Sequence, residues 1–149
     1  MSLIRNKKAT LNFEIIDKFE AGVELFGFEV KSIRNKRGSL DGSYVKIRGG
    51  EAFLVNAHIP SFQPTNSPES FDPYRTRKLL LNKKELHELT EKEKERGLTL
   101  VPLSMYNKGR LIKLEFAVAR GKKKYDKRQD IKRRDTERDI KREFKARLN

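Results

Sequence analysis

Arg75, Arg77 and Lys78 stand close together in RTRK, directly after a proline-rich stretch. Three cations so spaced beside a loop are candidates for phosphate contacts, so the chemistry on offer is ionic and hydrogen-bonding rather than covalent. Other reactive side chains make no catalytic pattern. The two histidines, His58 and His87, fall in different predicted elements, and neither has a metal-ligand spacing such as His-Glu-x-x-His. Cysteine is absent, which excludes a thiol nucleophile, a Cys-based zinc site and a disulfide scaffold. GKKKYDKR lacks the Gly-x4-Gly-Lys-Ser/Thr order of a phosphate-cradling loop, and RGSLDGSY is no nucleophile elbow. Glu20 and Asp41 are carboxylates with no marked partner for acid–base work. The expectation is a protein that is not an enzyme and uses no cofactor and no metal.

Charge points the same way. The 149 residues carry a formal +14. From Arg120 to Asn149 there are fourteen Lys/Arg and six Asp/Glu, a net +8, which leaves +6 on the preceding 119 residues. A surface this basic attracts polyanions, and nucleic acid leads because each neutralised phosphate releases counterions. The opening MSLIRNKK lacks the apolar run of a signal peptide, and no stretch approaches the ~18 apolar residues of a membrane span. A cytoplasmic protein with no membrane contact is expected.

The elements that must position these residues read as mostly strands. Leu11, Phe13 and Ile15 alternate at strand period, and FEAGVELFG continues in extended form with Gly22 and Gly27 as bend points. Phe28, Val30 and Ile33 predict a short helix ending before Gly38. Val45 and Ile47 alternate with polar neighbours, Gly49-Gly50 supplies a turn, and Phe53, Val55, Ala57 and Ile59 alternate again, which is a β-hairpin. PSFQPTNSPESFDPYRTRK, with four of the five prolines, reads as a long loop. Asn82 with Glu85 makes a capping box for a helix whose narrow apolar stripe is Leu86 and Leu89 and whose stop is Gly97. LTLVPLSMY and RLIKLEFAVARG form a last hairpin around Asn107-Lys108-Gly109, with Ile112, Leu114, Phe116 and Val118 inward. The expected fold is mainly β: a small closed antiparallel barrel of about six strands with OB-like topology, two or three short flanking helices and a basic C-terminal tail. The division is residues 1–120 as the RNA-binding barrel and 121–149 as the tail.

The tail has helical rather than strand spacing. Asp130 with Arg134 and Glu137 with Lys141 are acid-before-base pairs at i,i+4, and Ile140, Phe144 and Leu148 step along one face. Such pairs contribute only about 0.2–0.5 kcal/mol each. The like-charge runs at Lys122–Lys124 and Lys132–Arg134 oppose a free helix, so the expectation is a tail disordered when free and helical on a polyanion.

Several stretches in order, FEAGVELFGFEVKSIR, GSYVKI, GEAFLVNAHI, DPYRTRKLLLN and GKKKYDKR, together resemble the SsrA-binding protein (small protein B) family. The resemblance runs from about Lys7 to the C-terminus. It implies an OB-like barrel that binds the tRNA-like domain of transfer-messenger RNA in bacterial trans-translation, the rescue of stalled ribosomes. It further implies contact with the ribosome, mainly small-subunit rRNA, and indirect partnership with elongation factor Tu and alanyl-tRNA synthetase, with the protein expected to be a monomer. By the same resemblance, Glu20, Leu80 and Asn82 match RNA-binding positions. Lys122, Lys123, Lys124, Tyr125, Asp126, Lys127 and Arg128 match the segment that meets the decoding site, after which the tail becomes helical in the empty mRNA channel. Tyr125 replaces the His of many relatives, and Phe28 stands where they often have Trp. Asn82 thus has two readings, helix cap and RNA contact. The alternative functional class is a structural ribosome-associated protein whose basic tail threads rRNA.

Overall fold

The computed structural model describes residues 2–63, 70–122, 132, 134 and 138. In chain order the elements are β1 (Ser2–Arg5), α1 (Ala9–Asn12), β2 (Phe13–Val23), α2 (Gly27–Arg34), β3 (Tyr44–Arg48), β4 (Glu51–Val55), β5 (Arg77–Leu80), α3 (Lys83–Lys94), β6 (Leu98–Lys108) and β7 (Leu111–Gly121). The strands form one antiparallel sheet in the order β1-β6-β7-β2-β5-β4-β3.

The long strands β2, β6 and β7 are the spine. Strict alternation turns Ile112, Leu114, Phe116 and Val118 inward, where each is at most 6% exposed, and Phe19 stacks on Phe116 at 5.8 Å. Leu54, Leu79, Leu100, Met105, Ile33 from α2 and Leu89 from α3 complete the same core. The outer face is also covered at one end: Ala9 of α1 packs with Val101, Ala119, Phe13 and Ile15 in a second, smaller cluster.

Both central hairpins and α3 lie where the sequence places them. Gly49 and Gly50 both have positive φ in the β3–β4 turn, and Asn82 Oδ1 accepts from the Glu85 backbone N–H at 2.8 Å while the Glu85 carboxylate reaches back to the Asn82 N–H. Three points need correction. Leu11 lies in α1, one strand, β2, runs through both extended stretches as far as Val23, and Gly27, read as a bend point, opens α2. Among the described residues there are seven strands, because β1 and β5 carry too few alternating apolar residues to be read beforehand. Finally, the hydrogen-bonded sheet is not a closed barrel; β1 and β3 are its two edges.

The physical reason for the missing closure is α3. This helix packs against both β3 and β6, which themselves adjoin without pairing, and it buries Leu89 completely. Glu93 Oε2 accepts from the Ile47 backbone N–H at 2.8 Å. A side chain thus satisfies an edge-strand donor that a neighbouring strand would otherwise take.

Candidate nucleic-acid interface

Strand parity decides which predicted residues face outward. On β5, Arg77 and Leu79 are buried, so Lys78 and Leu80 project from the opposite, outer side. Leu80 lies opposite Gly22 of β2, with its side chain 3.3 Å from where a Cβ on Gly22 would stand. Glu20, two residues earlier on β2, shares that face. Leu80 is 51% exposed, an apolar side chain left in solvent beside charged neighbours. Asn82 follows at the exposed start of α3. The structure therefore brings Glu20, Lys78 and Leu80 onto one surface, with Asn82 at its edge.

Glu20 is held from two sides. Tyr106 Oη donates to Glu20 Oε2, and Lys108 Nζ donates to Oε1 at 2.9 Å. The Tyr106 hydroxyl and then Lys108 stabilise the carboxylate and hold its pKa below the ordinary range, and Lys113 adds to this. Burial, and then the same carboxylate, raise the pKa of Tyr106. The outcome is a fixed anion on a cationic surface. Its free lone pairs can accept from base amino groups or ribose hydroxyls, and the Lys residues around it attract the backbone.

Tyr106 and Lys108 were missed in the sequence. Their signal was present: both alternate with buried Met105 on β6, which places them on the outer face.

Arg75 and Arg77 lie elsewhere. Arg77 has no exposed surface. Its Nε donates to Glu29 Oε2 at 2.8 Å, and its terminal nitrogens donate to the carbonyls of Ala57, Pro73 and Arg75 at 2.9–3.0 Å. Desolvation lowers its pKa and the Glu29 carboxylate opposes that shift; the guanidinium stays a cation. Arg75 donates to both Glu29 oxygens, through Nη2 to Oε1 at 2.5 Å and through Nε to Oε2 at 3.2 Å, and lies over the Phe26 ring at 4.3 Å. Glu29 also accepts from the Phe26 backbone N–H at 2.9 Å, at the start of α2. One buried carboxylate thus joins α2, the loop before β5 and β5 itself. The phosphate-contact reading of Arg77 does not fit this geometry, because its donors are spent inside the fold; Arg75 is largely committed in the same way. Lys78 is half-buried and pairs with Glu51 at 3.3 Å.

His58 pairs through its backbone with Ser39 and sets its ring beside Tyr74, and His87 is exposed on α3. Among the described residues no group of His, Asp or Glu has the arrangement of a metal site. Of the tail residues singled out, Lys122 and Arg134 are among those described: the Lys122 backbone N–H donates to the Asn12 carbonyl at 2.9 Å and its Nζ to the Thr10 carbonyl at 2.8 Å, and Arg134 Nη2 donates to Thr10 Oγ1 at 3.2 Å. Lys123, Lys124, Tyr125, Asp126, Lys127, Arg128, Ile140, Phe144 and Leu148 lie outside the described residues.

Comparison with known proteins places this geometry in context. The family model described as SmpB protein matches residues 3–146. The SsrA-binding protein of Listeria welshimeri is 50% identical over 143 residues, covering 96% of this chain and 92% of the relative. That of Gloeobacter violaceus is 48% identical over 140 residues, covering 94% and 91%. A solved chain from the structure described as "tmRNA-SmpB: a journey to the center of the bacterial ribosome" superposes with a TM-score of 0.68 at 38% identity, over 85% of this chain and 92% of that one. With the family model spanning both the outer-face residues and most of the tail, the chain belongs to the SmpB family.

Proposed function

We propose that this chain is a non-enzymatic adaptor that binds the tRNA-like domain of transfer-messenger RNA and delivers it to stalled ribosomes for trans-translation. The observation that carries this reading is the shared outer face: Glu20, Lys78 and Leu80 converge there from β2 and β5, with Asn82 at its edge, in a chain of this family. The sheet and its helices hold the RNA. Lys122 through Arg128 meet the decoding site, and Ile140, Phe144 and Leu148 form the apolar face of a helix made in the vacant mRNA channel. Elongation factor Tu and alanyl-tRNA synthetase are indirect partners through the charged RNA, and the cytoplasm is the expected place of action. Among the described residues no helix is long and apolar enough to cross a membrane. The OB-like reading of the barrel rests on the packing of β3 beside β6 around α3.

The test separates holding the RNA from reading the ribosome. Replacing Asp126, Lys127 and Arg128 with alanine should leave affinity for the tRNA-like domain nearly intact and abolish peptidyl transfer to the alanyl-RNA. Parallel loss of both activities would refute that division. A salt wash of ribosomes addresses the structural-protein alternative: an adaptor is removed, whereas a subunit protein stays stoichiometric.

A further inference from the structure

Farther along the same outer sheet face, beyond Lys78 from the Glu20 site, the β3–β4 hairpin has the composition of a base-stacking platform. On β3, Val45 and Ile47 are buried while Tyr44, Lys46 and Arg48 point outward, and Tyr44 is 44% exposed. On β4, Ala52 and Leu54 are buried, so Phe53 and Val55 share the outer side with them. The register sets Tyr44 opposite Val55, Lys46 opposite Phe53, and Phe53 opposite Lys78 of β5. Between these side chains and Thr76 lies a shallow depression of about 310 Å³, at the lower end of the ~300–1,000 Å³ usual for small-ligand sites. Two rings diagonal to one another across a strand pair thus flank a space fringed by cations.

Charge selects the occupant. Among the described residues Lys46 and Arg48 enter no salt bridge, whereas Glu51 at the rim is neutralised by Lys78 at 3.3 Å. An exposed ring, Tyr44, beside half-buried Phe53 and unpaired cations on an open strand face matches an unpaired nucleotide, whose base stacks on the ring and whose phosphates meet the cations. A duplex would offer phosphates but no free base face. We propose that the outer face of the β3–β4 hairpin is a second RNA subsite that seats one unpaired nucleotide, its base on Tyr44 and its flanking phosphates on Lys46 and Arg48. This rests on the RNA-binding reading above and uses the far end of the same outer face, beyond Lys78, where Phe53 and Val55 form the apolar floor.

The experiment titrates a short labelled oligouridylate into the full-length chain and into Tyr44→Ala, Tyr44→Phe and the double variant Lys46→Ala/Arg48→Ala. The basic tail is common to all four, so affinity ratios isolate the hairpin face. Tyr44→Ala should weaken binding about tenfold, within the range for loss of one base–aromatic stack, while Tyr44→Phe keeps the wild-type value. The double variant should reduce the slope of log affinity against log salt by about 1.4, as expected for two single-strand phosphate contacts. Equal affinity of Tyr44→Ala and wild type, or equal loss in Tyr44→Ala and Tyr44→Phe, overturns the subsite. So does an acidic peptide that competes with the oligouridylate and shows the same Tyr44 dependence, which would make this a protein-docking face. A chain that binds the tRNA-like domain normally while its oligouridylate affinity ignores Tyr44 loses the subsite alone; one that binds neither RNA loses the adaptor reading as well.

Discussion

Glu29 and Arg77 show how a single buried pair outweighs its neighbours in stability while touching nothing outside. Two carboxylate oxygens accept from Arg75, Arg77 and the Phe26 N–H, so removing the charge strands a desolvated guanidinium. Glu29→Gln should cost about 3–5 kcal/mol in urea unfolding, the range for breaking a buried pair from one side, and replacing both partners with apolar residues of similar volume should cost less. Equal losses from the single and double variants would mean that shape rather than charge sets the penalty. Glu20 is the opposite case, an exposed anion whose pKa is lowered first by the Tyr106 hydroxyl and then by Lys108. A lowered folded pKa gives a contribution to stability that is present above the ordinary value of 4.5 and fades as pH falls through the folded value. Tyr106→Phe should therefore raise the Glu20 midpoint towards 4.5 in a carboxyl NMR titration. An unmoved midpoint would assign the shift to Lys108 and its neighbours. Neither Glu29 nor Tyr106 was marked by sequence alone, because a carboxylate in a short helix and a tyrosine in a strand have no local signature of the distant partner each one meets.

At the scale of elements, α3 carries two duties, of which only the capping by Asn82 is legible in the sequence. The capping box could be read because the Asn82–Glu85 spacing is local, and the hydrogen bond at 2.8 Å occurs where expected. Asn82 Oδ1 is occupied by the cap, which leaves its amide NH₂ for RNA. Asn82→Asp keeps the acceptor and removes the donor, so it should preserve thermal stability while weakening binding to the tRNA-like domain. Asn82→Ala should lose both, with about 1 kcal/mol of stability gone. An Asp variant that binds RNA normally would leave Asn82 as a cap only. The second duty, filling the gap between β3 and β6, was not legible: Glu93 reads as one more charge on a solvated helix, yet it holds the Ile47 N–H across 46 residues of chain. Closure through strand pairing was therefore expected, and the sheet instead stays open with α3 packed against β3 and β6. Glu93→Ala should speed amide exchange at Ile47 more than at the inner strands β7 and β2, and uniform acceleration would mean that α3 stabilises the fold as a whole.

Across the whole molecule, local periodicity predicted the hairpins, helices α2 and α3 and the inward face of β7, because each is fixed by side-chain parity within a few residues. The outer-face site was readable only through resemblance, since Glu20 and Leu80 lie on strands that are far apart in sequence and meet through the β2–β5 pairing at Gly22. Lys122 is tied to Thr10 and Asn12 of α1, so a truncation after it keeps those contacts. Removing residues 123–149 takes away twelve Lys/Arg and six Asp/Glu, lowering the net charge from +14 to +8. Charge of this kind contributes salt-dependent affinity without selectivity, because phosphates are the same on every RNA. The truncated chain should therefore bind the tRNA-like domain with a shallower salt dependence, by about 0.9 in log–log slope for each duplex phosphate that the tail no longer neutralises. It should still prefer that RNA over ordinary tRNA, since Glu20, Lys78, Leu80 and Asn82 remain in place. If competition with ordinary tRNA instead erases the preference, discrimination resides in the tail and the outer face is only a support for it.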